Sequence, residues 1–198
     1  MKYGYTGFGS TIAREIHRIT QIADPEVKYA ANRNPLNLPT NLDCYFLCAG
    51  VLIGKNCIDI SQEEIVDTIN VNMLGVIAAC DRIFNGNKQA KICIIGSMSG
   101  FNGSYDMTYA AAKAGVHMYV ENKKLDYATQ HLVCVAPTII ENSGMTQRRK
   151  DYNDIIRRGK NRRQGRWLLA EEVAKVALFA VDNTSMCNTV IKLTGGNN

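Results

Sequence analysis

From its first residues the chain alternates short runs of β-branched, aromatic and cysteine residues with longer amphipathic stretches, and few folds accommodate that alternation. Residues 1–6 read as a strand, Thr11–Ala23 as a helix, Val27–Ala31 as a second strand and Cys44–Cys48 as a third. Ser61-Gln62-Glu63-Glu64 is a capping box: the serine oxygen accepts a helix amide while Glu64 reaches back. It opens a long helix to about Phe84, followed by a strand at Lys91–Ile95 and a polar, glycine-containing loop to Met107. Thr108 to about Thr129 reads as a helix, Leu132–Val135 as a strand stopped by Pro137, Ala170–Asp182 as a helix and Thr189–Leu193 as the last strand. Strands separated by helices pair in parallel, and a parallel sheet needs cover on both faces. The expectation is an α/β fold: a single doubly wound domain, residues 1–198, of about six parallel strands.

One interval is too short for that pattern. Asn32 to Asn41 holds about ten residues, with two prolines and four asparagines. A parallel crossover through a helix takes a dozen residues or more, so this segment is expected to be a loop. Hydrophobic residues make up 46% of the chain and charged residues 21%, the balance of a folded globular protein. No apolar run approaches the roughly 20 residues of a membrane span, and Met1-Lys2-Tyr3-Gly4-Tyr5 lacks the apolar stretch of a secretory signal. Seven cysteines, an odd number without a Cys-x-x-Cys pair, read as buried free thiols in a reducing cytosol rather than disulfides or a metal site. The expected location is cytoplasmic.

Two short motifs carry chemistry. Gly7-Phe8-Gly9, with Ser10 and Thr11, lies between the first strand and first helix, where backbone amides and the helix dipole favour a pyrophosphate. Tyr109-Ala110-Ala111-Ala112-Lys113 places a phenol and an ammonium on one helix face. A free phenol titrates near ~10, and a neighbouring cation favours its ionised form, bringing it toward use as a general acid or base. Charge is concentrated elsewhere: nine basic residues against two acids between Arg148 and Arg166 give +7, more than the +5 of the whole chain. That stretch reads either as a solvated surface or as an attraction for an anionic substrate or acidic carrier protein. No nucleic-acid-binding motif accompanies it.

In this order the motifs resemble the short-chain dehydrogenase/reductase family, in its 3-oxoacyl-[acyl-carrier-protein] reductase-like branch. The glycine turn is followed by Leu47-Cys48-Ala49-Gly50, Asn72-Met73-Leu74-Gly75, and Ile95-Gly96-Ser97-Met98-Ser99-Gly100 twelve residues before Tyr109. Pro137–Met145, Gly165-Arg166-Trp167 and Glu171-Glu172-Val173-Ala174 complete the match. The resemblance implies a Rossmann fold and an NAD(P)(H)-dependent oxidoreductase acting on a carbonyl/alcohol pair. Ser97 would polarise the carbonyl, with Ser99 as the alternative; Tyr109 would donate the proton, Lys113 would hold the nicotinamide ribose, and Asn72 would keep a water in line with Lys113. Gly7, Phe8, Gly9, Ser10, Thr11, Asn32, Arg33, Cys48, Ala49, Gly50, Pro137 and Ile140, with Tyr109 and Lys113, would form the cofactor site. The family's carboxamide-binding threonine has no clean counterpart here, and Ile140 and Asn142–Ser143 are the nearest candidates.

The chain also departs from that family. Its glycine turn is about three residues shorter, unless Gly4 serves as the first glycine of a shifted alignment. The short interval replaces the usual third strand and its two flanking helices, so a more open adenine pocket is expected. Asn32-Arg33 follows the second strand with no acid until Asp43, which favours NADP(H) over NAD(H), since arginine there suits a 2′-phosphate. The layout implied is a cofactor half (1–50), a catalytic half (51–145), a basic substrate lid (146–168) and a C-terminal helix and strand (169–198). The partners implied are a small-molecule or carrier-bound carbonyl and further copies of the chain, assembled through the helices that contain Asn72 and Tyr109, with neither nucleic acid nor membrane. A silent nucleotide-binding protein and a redox-neutral epimerase or dehydratase are the other classes the residues allow.

Overall fold

A computed structural model describes residues 2–23, 28–32 (as backbone), 37–55 and 58–196. Six strands form one parallel sheet: β1 (Lys2–Thr6), β2 (Lys28–Asn32), β3 (Cys44–Leu47), β4 (Lys91–Ile95), β5 (His131–Pro137) and β6 (Thr189–Leu193). Their order is β2-β1-β3-β4-β5-β6. The central strands are apolar on both faces, and side chains alternate between two cores. Cys44, Phe46, Cys93, Ile95, Val133 and Val135 face α1 (Thr11–Ala23) and α8 (Ala170–Asp182), which pack on each other. Tyr45, Leu47, Ile92, Ile94, Leu132 and Cys134 face the opposite layer, built from α2 (Gln62–Ile69), α3 (Gly75–Gly86) and α5 (Met107–Asn122). The chain leaves β1 for β2 on one side and resumes at β3 on the other. This reversal opens a crevice at the carboxyl ends of β1 and β3, where open α/β sheets bind ligands.

In the described part of the short interval Asn37 lies in a 3-10 turn, and residues 38–41 form neither helix nor strand, in keeping with the expected loop. It supplies apolar cover directly: Leu38 and Leu42 are buried in the core that α3 and α5 share. Arg82 of α3 donates to the Leu38 carbonyl (2.6 Å), while the Tyr45 hydroxyl donates to Pro39 (2.9 Å) and accepts from the Leu42 amide (3.0 Å). Gly4 completes the fit, because a Cβ there would stand 2.8 Å from the Tyr45 ring.

Three local features differ from the expected pattern. The long helix from Ser61 is interrupted by a π-helical segment at Asn70–Leu74. A short helix, α4 (Ser99–Asn102), lies in the loop after β4. The tyrosine helix ends at Asn122 rather than near Thr129, because the side-chain amide of Asn188 donates to the carbonyls of Val120 (2.7 Å) and Lys123 (2.9 Å). A residue far away in sequence thus terminates the helix. Two further helices, α6 (Gly144–Gln147) and α7 (Tyr152–Gly159), form the chain between β5 and α8.

Candidate active site

At the switch point the chain turns sharply. Gly7 adopts a left-handed φ of 60°, and a Cβ there would stand 2.7 Å from the Ala49 backbone. The Gly7 carbonyl accepts from the Ser10 amide (2.7 Å), and the Ser10 hydroxyl oxygen accepts from the Ala13 amide (3.2 Å), capping α1. Thr6 ties the end of β3 to this turn: its carbonyl accepts from Cys48 and its hydroxyl from Ala49. Gly9 has no atom within 4 Å of a Cβ placed on it, so the turn leaves open space on that side.

Behind Gly50 sits the fully buried Asn72. Its side chain accepts from the Val51 amide (3.1 Å) and donates to the carbonyls of Val51 and Thr68 (2.9 Å each). Taking the Thr68 carbonyl, four residues back, replaces a backbone bond of the helix and belongs with the π-helical bulge there. The Lys113 ammonium is 3% exposed and donates to the Ile95 carbonyl (3.0 Å). It stands 5.7 Å from the centre of the Tyr109 ring. A Cβ on Gly50 would approach the Lys113 nitrogen to 3.7 Å and the Asn72 oxygen to 3.0 Å, so glycine keeps this corner clear.

Tyr109 opens α5, whose N-cap is the fully buried Asp106. One Asp106 oxygen accepts from the Tyr109 amide (3.0 Å) and the other from the Gly54 amide (3.1 Å). The carboxylate therefore fixes both the start of the tyrosine helix and the loop after β3. Ser97 is held on three sides. Its hydroxyl oxygen accepts from the Ser99 amide (3.1 Å), its carbonyl from Gly100 (3.0 Å), and its amide donates to His117 Nε2 at 3.4 Å. His117 fills a slot that only glycine leaves open: a Cβ on Gly96 or Gly100 would come within 2.6 Å of its ring. Burial, helped by the Lys113 and Lys192 charges, lowers its pKa to about 4, so the imidazole is neutral.

These groups meet in one cavity of about 520 Å³, within the usual size range of ligand pockets. Its walls bring together the turn residues Gly7, Gly9, Ser10 and Thr11, the strand end Cys48-Ala49-Gly50, and Ser97, Ser99, Tyr109, Lys113, Pro137 and Ile140. Asn72 stands behind the wall, and Phe8 turns its ring toward Tyr5 and His17 (5.7 and 5.4 Å between centres), away from the lining. Asn32 ends β2 beside Thr6, and Arg33 lies outside the described residues. Burial pushes the Cys48 thiol up to about 12, so it lines the cavity as a neutral group. Sequence reasoning missed Arg14, which follows Thr11 by one helical turn, and also Asp106 and His117. It placed Arg148 and Arg149 only within a general basic stretch. All three arginines line the cavity.

The family model described as short chain dehydrogenase matches residues 20–154. No curated protein matches the sequence. Among solved structures, an oxidoreductase of the short-chain dehydrogenase/reductase family from Burkholderia thailandensis superposes with a TM-score of 0.85 at 16% identity, covering 98% of this chain and 91% of that one. A 3-oxoacyl (acyl-carrier-protein) reductase from Agrobacterium tumefaciens, solved with NADP bound, gives 0.82 at 17% identity over 99% and 93%. BdcA in complex with NADPH gives 0.81 at 13% identity over 98% and 93%. At such identities the structures attest the fold, whereas the family match spans more than half of the sequence: the chain belongs to the short-chain dehydrogenase family.

Proposed function

We propose that this protein is an NADP(H)-preferring oxidoreductase that interconverts a carbonyl and an alcohol, with Tyr109 as the general acid and base. The observation that carries the reading is the convergence of Ser97, Tyr109 and Lys113 on the same cavity as the glycine turn. The residues fit a dinucleotide. Gly9 leaves the turn open, the Thr11 and Ile12 amides at the start of α1 carry no hydrogen bond among the described residues, and Lys113 spends one of its three N–H donors on Ile95. When bound, the nicotinamide supplies or accepts the hydride.

The protein's own groups handle the oxygen and the proton. Ser97 accepts from the Ser99 amide at its hydroxyl oxygen, which leaves its O–H to donate to a substrate oxygen. This arrangement favours Ser97 over Ser99 for that role. Tyr109 gives its phenolic proton to the same oxygen during reduction and takes it back during oxidation. Lys113, anchored on Ile95, favours the negative charge that develops on the phenol and has donors left for ribose hydroxyls. Asn72 holds the Val51 segment beside Lys113 and keeps a water in line with the ammonium as a route for the proton to solvent.

The NADP(H) preference rests on Arg33 and on the acid-free sequence after the second strand, and a lining without carboxylates among the described residues agrees with it. The cationic lining also favours an anionic carbonyl, such as a carrier-bound acyl group, with residues 146–168 as its lid. Assembly into a homo-oligomer is supported by the exposed Val66, Val71, Leu74 and Met118 on the helices that contain Asn72 and Tyr109. Fluorescence titration with NADPH and NADH, followed by a panel of carbonyl compounds, tests the reading. Tight NADPH binding and carbonyl-dependent oxidation are expected, and Arg33→Ala should weaken NADPH far more than NADH. Failure to bind either dinucleotide would remove the proposal.

A further inference from the structure

The basic stretch that dominates the charge of the chain is largely occupied with itself. Arg149 forms a two-pronged ion pair with Asp151 (2.9 Å each) and lies over the Tyr105 ring. Arg158 reaches the same carboxylate at 3.7 Å, and Arg157 pairs with Asp154 at 2.9 Å. Arg166 grips Glu172 through two bonds of 2.9 Å, while Arg162 donates to the Thr194 carbonyl and stacks on Trp167. Arg157 and Arg158, in the middle of that stretch, do not line the cavity.

The charge that does reach the cavity comes from other positions. Arg14, Lys113, Arg148 and Arg149 line it, and among the described residues no aspartate or glutamate does. Lys113 is committed to Ile95 beside Tyr109, and Arg149 to Asp151. Arg14 and Arg148 have no acidic partner among the described residues, although Arg18, one turn beyond Arg14, pairs with Glu15 and Glu171. The Arg148 guanidinium folds back along α6, with one nitrogen 3.1 Å from where a Cβ on Gly144 would stand, and Gly144 is itself part of the lining. A cleft lined by cations alone focuses its field on whatever anion enters.

We infer that Arg14 and Arg148 form a diphosphate clamp, two guanidinium groups from different elements that hold the phosphate bridge of the dinucleotide in this cavity. The inference rests on the dinucleotide reading above and names the residues that grip its charge. α1 follows β1 and α6 follows β5, three positions along the sheet, so the two arginines are carried by separate elements that both line the cavity. Two guanidinium forks without an acidic partner among the described residues complement the two negative charges of a diphosphate. The glycine turn is short, and its Ser10 amide is already spent on Gly7. Side-chain cations thus supply the grip that a longer turn would give through backbone amides.

The test is a binding titration of the full chain with NADPH and with NADH, with inorganic pyrophosphate as competitor. Arg14→Gln and Arg148→Gln should each weaken both dinucleotides by roughly tenfold, the cost of one charge-assisted hydrogen bond. The double variant should lose more, depend less on salt, and no longer respond to pyrophosphate. Lys175→Gln, on α8 and away from the lining, should behave as wild type. The clamp is overturned if the wild type binds dinucleotide and both variants match it, or if pyrophosphate does not compete with wild-type binding. A loss confined to NADPH also overturns it, because it would move the arginines to the 2′-phosphate; so does a loss confined to the KM of an anionic substrate. If the wild type binds neither dinucleotide, the proposed function falls. The clamp would still stand if pyrophosphate alone bound the wild type and not the double variant.

Discussion

Glycine at position 7 answers two demands at once. Its φ of 60° disfavours any side chain, and a Cβ would press to 2.7 Å on the Ala49 backbone at the point where β1 and β3 diverge. Gly7→Ala should cost at least the roughly 1–2 kcal/mol of a left-handed residue and should lower dinucleotide affinity more than global stability. Urea unfolding and a cofactor titration on the same sample separate the two effects. His117 makes a second prediction. Its pKa is about 4 in the fold against ~6.5 in an unfolded chain, so between these values the unfolded state binds more protons. Its contribution is therefore present above pH ~6.5 and is lost as the pH falls toward 4, by roughly 3 kcal/mol in total. Replacement by phenylalanine, which cannot be protonated, should flatten the stability curve over that window. An unchanged slope would mean that the imidazole is not the group responsible. The glycine turn and the Tyr109–Lys113 pair were legible in sequence because local spacing defines them. His117 was not, since its role depends on the Gly96–Gly100 loop reaching it across the fold.

Elements show the same division. Ser61 and Glu64 form both bonds of the capping box, a motif complete within four residues. The end of α5 could not be read, because Asn188 sets it from the far end of the chain. The π-helical segment was equally hidden, since it depends on Asn72 binding Val51 across the layer. Asp106 couples two elements, the start of α5 and the loop that holds Gly54. Asp106→Ala should remove a helix cap and leave a buried amide unpaired, destabilising the fold by roughly 2–3 kcal/mol. Asp106→Asn, which keeps one acceptor, should recover part of that loss. Equal denaturation midpoints for wild type and alanine variant would show that the carboxylate is dispensable.

On the scale of the whole molecule, alternation of strands and helices gave the parallel sheet and both of its layers. The missing strand was legible as an interval too short to hold a crossover. What covers the sheet there was not, because Leu38 and Leu42 become core only once Arg82 and Tyr45 fix the loop over β1 and β3. The exposed apolar residues of α2, the π-helical segment and α5 predict an assembly. Met118→Glu, at a position 62% exposed, should lower the sedimentation coefficient to that of a monomer without changing the far-ultraviolet spectrum, and an unchanged coefficient would count against that face. The central claim concerns one phenol. Carbonyl-dependent oxidation of NADPH by Tyr109→Phe, measured beside its NADPH affinity, tests that claim most directly. Turnover is expected to fall by about two to four orders of magnitude while affinity stays within about twofold of wild type. Turnover preserved in the phenylalanine variant would contradict it.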